Sequence, residues 1–370
     1  MPTLTASLHD LTRDLVQIDS RSFVSNLRVA DRIEAALPGF DIERLDYTDA
    51  AGVAKRALVA HRGGKGGIAL SGHMDTVPDT GWQDDPWSAR IDADGTLHGL
   101  GSTDMKGPVA AAIVAAYALP GSVPMTLLIT TDEETTKQGA REIAAHSALV
   151  RQVTPRGIIV VEPTRLIPVR GHRAHILFTC TARGVQAHSS TGKGHNANWD
   201  LIPFLMEMKA IFERLRNDAG LQDADYDPPF SDFNLVIDNH GAAVNVTVPV
   251  ATARIKFRYS AKVDPAPVLA AVHAAASRFG VSVREDREGF PPELAAEHPL
   301  VALCVAASGQ AACTAPYGTD ASELQAIAPC VVLGPGDIAV AHTPTERVRL
   351  ADLDAAVPLF MRLAEQMAAE

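Results

Sequence analysis

The sequence predicts an α/β protein: a mixed-sheet α/β/α domain interrupted by an inserted α+β unit of ferredoxin-like order. Three observations predict it. Short apolar runs of β character alternate with helical segments and end on acidic residues or histidine. From Arg173 the pattern changes to the order βαββαβ, the split ferredoxin-like arrangement. Candidate functional residues stand on both sides of that stretch, so it is inserted into the first domain and not appended to it. The expected boundaries are 1–172 and 289–370 for the first domain, and 173–288 for the insert.

The first helix is an amphipathic N-terminal segment, Met1 to Asp19, with Leu4, Leu8, Leu11, Leu15 and Ile18 at helical spacing. It lacks the charged start and continuous apolar stretch of a signal peptide. A second amphipathic helix, Asn26 to Leu37, is closed by Pro38-Gly39. Strands are expected over Phe40 to Tyr47, Ala57 to His61 and Gly67 to Ser71. The glycine-rich Gly63 to Gly67 between the last two lacks phosphate-loop spacing and reads as a hairpin turn. Gly107 to Leu119 is a helix of small residues, suited to close packing on a sheet. Met125 to Thr131 and Ile158 to Val161 are further strands, running into Asp132-Glu133-Glu134 and Glu162-Pro163. In the insert, strands are expected over Ile176 to Ala182, Asp232 to Ile237, Val244 to Tyr259 and Val281 to Arg287. Its helices are expected over Ala197 to Leu215 and Pro265 to Phe279. Beyond it come Gly318-Thr319-Asp320, Gly334-Pro335-Gly336 and His342.

Bulk properties narrow the classes. At 370 residues the chain exceeds one ordinary core, which fits two domains. Its net charge of −11, with no Lys/Arg-rich run, argues against nucleic acid or an anionic membrane as partner. Cys180, Cys304, Cys313 and Cys330 show no Cys-x-x-Cys spacing and read as thiols of a reducing compartment. No apolar run is long enough to span a bilayer. A cytoplasmic location is the expectation.

Five residues, His73, Asp104, Glu134, Glu162 and His342, have the chemistry of divalent-metal ligands and sit at strand ends or tight turns. His73 and Asp75 alternate at a strand end, so Asp75 can fix the ring nitrogen that His73 does not give to a metal. A core histidine bonded to a turn carboxylate is the other reading. Asp104 precedes the small-residue helix, where it reads either as an N-cap or as a carboxylate bridging two cations. Glu133 and Glu134 are adjacent acids after a buried strand, a crowding that is costly without a cation. One can ligate while the other reaches a bound water. Zinc fits this donor set, with cobalt or manganese as substitutes.

These segments resemble the dizinc aminoacylase, deacetylase and desuccinylase superfamily of metallopeptidases. Ser71 to Pro78 is similar to its first metal motif. Gly99 to Gly107, Thr131 to Thr135, Val161 to Thr164 and Ala341-His342 resemble the later motifs in order, and Gly184 to Ser190 resembles its lid histidine motif. The likeness is strongest to the acetylornithine deacetylases, through Leu333-Gly334-Pro335-Gly336 and Glu162-Pro163-Thr164. The resemblance implies a dizinc catalytic domain with an inserted lid and dimerisation domain. It assigns His73 and Glu162 to one metal, Glu134 and His342 to the other, and Asp104 to both. Glu133 becomes the general base and acid, and Asp75 the residue that orients His73. His188 reaches across a homodimer to the oxyanion of the partner's site. Asn245 becomes a substrate contact, though it also reads as a turn residue before a strand.

Arg258 departs from the pattern. Counted from Asn245 it falls one residue early, where Tyr259 would align, and one step along a strand reverses the face. Either a bulge restores Arg258 as the clamp for a substrate carboxylate, or the chain recognises another group. His172, His175 and His240 are extra histidines, expected to line or brace rather than ligate. The implied reaction is hydrolysis of the amide bond of an N-acyl amino acid, with Glu133 activating a metal-bridging water and protonating the leaving amine. A dipeptidase, a desuccinylase or a deacylase of another N-acyl compound is the alternative within the superfamily. A non-catalytic metal-binding protein is the alternative outside it.

Overall fold

A computed structural model describes residues 4–369. Residues 1–3 and the Leu4 side chain of the predicted first helix lie outside the described residues. The chain divides into two compact units. One comprises residues 1–171, 292–314 and 319–370; the other comprises residues 172–291 and 315–318.

The first unit opens with helices α1 (Leu4–Val16) and α2 (Leu27–Glu34). Strands β1 (Asp41–Thr48), β2 (Ala54–Arg62) and β3 (Ile68–His73) follow, then the short β4 (Arg90–Ile91) and β5 (Thr96–His98). Helix α3 (Gly107–Ala118), β6 (Met125–Thr130), α4 (Gln138–His146), α5 (Ala148–Val153), β7 (Gly157–Pro163) and β8 (Val169–His172) complete this part. The second unit holds β9 (Ala174–Arg183), α6 (Asn198–Asn217), β10 (Asp232–Asp238), β11 (Val250–Tyr259), α7 (Ala266–Phe279) and β12 (Ser282–Arg287). The chain ends with α8 (Pro299–Ser308), β13 (Cys313–Ala315), α9 (Ala321–Leu324), β14 (Cys330–Gly334), β15 (Arg347–Arg349) and α10 (Leu350–Ala369).

The large sheet is mixed, in the order β1-β2-β6-β3-β7-β14-β8-β13. Its middle strands β6, β3, β7 and β14 run parallel to one another. They are buried along their whole length, as strands covered on both faces must be, and they carry unbroken apolar runs such as Gly-Ile-Ile-Val-Val. Helix α3 is buried through ten consecutive residues, Gly107 to Ala116, mostly alanine and valine. Such a helix, apolar all round, belongs inside a core and not on a surface. It packs among α1, α10 and the sheet.

Parallel strands share one C-terminal edge. His73 is the last residue of β3, Glu133 and Glu134 follow β6, and Glu162 lies near the end of β7. Three adjacent strand ends therefore deliver candidate residues to one rim, the place where open α/β sheets form their sites.

The segment Gly63 to Gly67 is not the expected hairpin turn. Strand β2 pairs with β6, so the connection to β3 crosses over an intervening strand. Its glycines permit close passage: a Cβ at Gly67 would stand 2.4 Å from the Pro124 carbonyl oxygen, at a φ of 72°.

The second unit is a four-stranded antiparallel sheet in the order β10-β11-β9-β12, with α6 and α7 on one face. Phe178, Ile255 and Phe257 pack there against Phe204, Met208 and Val272. The alternate positions His175, Leu177, Arg254, Lys256 and Arg258 stand on the other face. Strand β11 begins at Val250 and not at Val244. Residues 244–249 form turns and one isolated bridge, from Val246 to His188.

Candidate metal centre

His73 is fully buried, and its Nδ1 lies 3.0 Å from the backbone carbonyl of Asp75. That contact selects the Nδ1–H tautomer and leaves Nε2 free to bind a cation. The Asp75 carboxylate is 3.6 Å from the ring, too far for a hydrogen bond, so the carbonyl orients His73. The carboxylate instead accepts the Ser22 hydroxyl at 2.8 Å and the Glu133 and Glu134 backbone N–H groups at 3.2 and 3.4 Å. Asp75 thus ties the end of β3 to the two glutamates after β6.

The five proposed ligands come together as two sets that share Asp104. His73 Nε2 is 3.0 Å from Asp104 Oδ1 and 3.7 Å from Glu162 Oε1. His342 Nε2 is 3.2 Å from Asp104 Oδ2 and 2.9 Å from Glu134 Oε1. Asp104 therefore turns one oxygen to each set and does not cap α3, whose N-cap position is Lys106. Four ligands placed ~2.0–2.1 Å from zinc at tetrahedral angles are roughly 3.3–3.4 Å apart. The observed donor separations bracket that spacing.

Electrostatics give the same answer. Burial, and then the charge of Asp104, push the Glu162 carboxyl well above the usual range and Glu134 up to about 7. Glu133 is raised as well, by burial first, against the pull of Lys137. Burial opposes the charge of Asp104, but bonds to His342 and His73 hold its carboxyl low, so Glu133, Glu134 and Glu162 are the groups that resist ionising beside it. Two divalent ions would balance four ionised carboxylates and relieve that conflict. The residues present fit a dinuclear centre.

Glu133 joins neither ligand set. Its carboxylate is nearly enclosed, and Lys137 Nζ stands 3.6 Å away. That ammonium group donates to the Thr319 carbonyl and the Ser322 hydroxyl, which fixes it beneath Glu133. Asp320, also buried, accepts the Thr130 hydroxyl, and burial, then the Glu133 charge, push its pKa up to about 8. Glu346 accepts the N–H groups of Gly101, Thr103 and Asp104, each at 3.0 Å, and so shapes the loop that presents Asp104. Beside the glutamates, Lys55 pairs with Asp132 at 2.9 Å, and the Tyr47 hydroxyl donates to the same carboxylate. Lys55, Lys137 and Glu346 were not singled out from sequence. The Gly-Thr-Asp sequence around Asp320 was the one available signal.

The remaining predicted residues lie in the second unit. His188 is exposed, with Nδ1 held 2.8 Å from the Ser190 hydroxyl and, among the described residues, no hydrogen bond at Nε2. Asn245 is also exposed, and its backbone carbonyl accepts the Ser189 N–H, so these two candidates occupy neighbouring segments. Arg258 is half-buried and pairs with Asp232, directly across the ladder, at 2.8 Å. Strand β11 has no bulge between Val250 and Tyr259. Tyr259 faces the core and stacks on Phe257. The one-residue offset thus arises in the irregular 244–249 segment, where counting faces from Asn245 has no meaning. His172, His175 and His240 are engaged by the Arg173 carbonyl, Glu288 and Thr252.

Comparison with known proteins agrees with this geometry. Residues 69–366 match the model of peptidase family M20/M25/M40. An acetylornithine deacetylase of Myxococcus xanthus is 34% identical, covering 95% of this chain and 94% of its own length. One from Proteus mirabilis (strain HI4320) is 33% identical, covering 88% and 86%. Among solved structures, a di-peptidase of Saccharomyces cerevisiae matches with a TM-score of 0.76 at 16% identity, over 99% of this chain and 97% of that one. The last likeness is one of fold.

Proposed function

The chain belongs to peptidase family M20/M25/M40, a family of hydrolases, and from that premise we propose that it removes the acyl group of an N-acyl amino acid, in the manner of an acetylornithine deacetylase. The observation that carries this reading is the pair of ligand sets sharing Asp104, with Glu133 beside them and outside both.

His73 and Glu162 would hold one ion, His342 and Glu134 the other, and Asp104 both; zinc suits the mixed imidazole and carboxylate donors. Bound ions supply a water whose pKa is lowered to about 7 and a polarised carbonyl. Glu133 accepts the proton of the attacking water at its carboxylate and returns it to the leaving nitrogen. Lys137 holds that carboxylate in place without ligating it. His188, with no hydrogen bond at Nε2 among the described residues, donates to the developing oxyanion in the site of a second subunit. Arg258 binds the substrate carboxylate on exchanging its bond to Asp232, and Asn245 contacts the substrate beside His188.

The dimer that His188 requires is supported by an apolar surface on the second unit. Strand β10 is an edge strand whose outer N–H and C=O groups are free to pair. Ile237 on it is 51% exposed, and on the adjacent α6 Trp199 and Met206 are 68% and 63% exposed, in one stripe with Ile202. An antiparallel β10–β10 contact is self-complementary, as a two-fold interface must be. Four free cysteines agree with assembly in a reducing cytoplasm.

The prior engagement of Arg258 by Asp232 favours a second reading, in which the clamp serves another acyl or peptide substrate. The two separate on a panel of N-acetyl amino acids, N-succinyl amino acids and dipeptides. The deacetylase reading expects the highest kcat/KM on an N-acetyl amino acid. Faster turnover of dipeptides or succinyl compounds replaces it with the second.

A further inference from the structure

We propose that a cavity beside β15, in the first unit, binds a small phosphate-bearing molecule through Arg165, Arg347 and Arg349. The cavity has a volume of about 480 Å³ and lies among β5, the turn after Glu162, the loop after β14, β15 and the first turns of α10. None of its lining residues belongs to the metal-ligand set. On β15, Arg347 and Arg349 alternate around the buried Val348, so both guanidinium groups leave the strand on its exposed side. Arg165 joins the lining from the turn after Glu162, with its side chain largely exposed. Its backbone and that of Leu166 sit at φ values of 56° and 57°, which L side chains rarely adopt. Hydrogen bonds to the Gly336 and Gly334 carbonyls hold the turn there.

Asp337 and Asp352 share the lining with these three cations, which leaves it one net positive charge. Among the described residues the trio makes one ion pair, between Arg165 Nη1 and Asp337 Oδ2 at 3.9 Å. The other Asp337 oxygen is committed to capping the Ala339 N–H. Arg347 donates to the Thr345 carbonyl, a neutral acceptor. Among the described residues, neither Arg349 nor Asp352 makes an ion pair. Three guanidinium groups against two carboxylates, only one of which pairs with an arginine, leave a net positive concavity that favours an anion. Planar guanidinium forks from β15 and from the turn after Glu162 suit the several oxygens of a phosphate dianion better than one carboxylate. Leu166 and Val340 offer an apolar wall for an organic body beside it.

The test is calorimetric titration of metal-loaded protein with inorganic phosphate and with phenyl phosphate at constant ionic strength. Wild type is expected to bind phosphate saturably. Arg347→Gln/Arg349→Gln and, separately, Arg165→Gln should weaken binding about tenfold or more, as loss of charge-assisted bonds to an anion does. Arg278→Gln, on α7 of the other unit, should leave it unchanged. Tighter binding of phenyl phosphate identifies an organic phosphate as the ligand, and equal binding identifies free phosphate. Equal affinity of wild type and both cavity variants would place the anion on the metals and overturn the proposal. So would the absence of binding to wild type.

Discussion

Glu133 and Glu134 are neighbours with different surroundings, and the difference assigns their work. Glu134 points to His342, whereas Glu133 faces Lys137 and keeps its carboxylate free of both ligand sets. Glu133→Gln preserves shape and removes the base, so kcat is expected to fall by about 10²–10⁴ while both metals stay bound. Kinetics alongside elemental analysis check this; wild-type turnover in that variant would remove Glu133 from the reaction. The candidate ligands stand out in the sequence because they are metal-binding types, and His73, Glu134 and Glu162 follow or end apolar runs. Their buried supports do not. Lys55 lies in Ala-Lys-Arg-Ala, an ordinary surface pattern, yet it is fully buried against Asp132. Only the folded chain brings that partner, from after β6, beside β2. The carboxylate of Asp75 was misread for the same reason: sequence places it next to His73, and folding turns it to the Glu133 and Glu134 amides.

At the scale of elements, strands with uniform apolar runs were found within a few residues, because burial on both faces leaves one solution. Order within the sheet was not readable. Gly63 to Gly67 has hairpin composition, but β6 enters the sheet between β2 and β3, a choice fixed by tertiary pairing. The start of β11 was placed early because Val244 and Val246 continue its alternation, while the backbone there turns. Caps are another local device. Glu43 on β1 accepts the Ser147 hydroxyl and the Ala148 and Leu149 N–H groups at the start of α5. Burial opposes its charge, but these bonds, with Arg151, outweigh it and lower the pKa in the folded chain. A carboxylate depressed in this way contributes stability above its unfolded value, near 4.5, and loses it as the pH falls through the lower, folded value. Glu43→Gln should therefore cost roughly 1 kcal/mol or less near neutral pH, given partial solvent screening. The cost should vanish in acid. Thermal unfolding of both proteins from about pH 7 to about pH 3 measures it, and a difference that persists unchanged in acid would refute the assignment.

For the whole molecule, one unit gathers the candidate metal ligands, and the other carries His188, Arg258 and an apolar edge. No helix among the described residues is long and apolar enough to cross a membrane. In the proposed dimer a second copy of the chain would cover the exposed stripe on α6 and the edge strand β10. Ile237→Lys places charges on that edge and should shift the protein from dimer to monomer in sedimentation, with metal binding intact. A wild-type protein that is monomeric at all concentrations would remove the role given to His188. The proposed reaction is two-metal amide hydrolysis at the shared Asp104 centre. It is tested most directly by adding zinc to chelated protein while following both bound metal and hydrolysis of an N-acetyl amino acid. Two ions per chain, with turnover absent before addition and restored as the centre fills, is the expected result. Full turnover in the chelated protein, or no uptake of divalent metal, would contradict it.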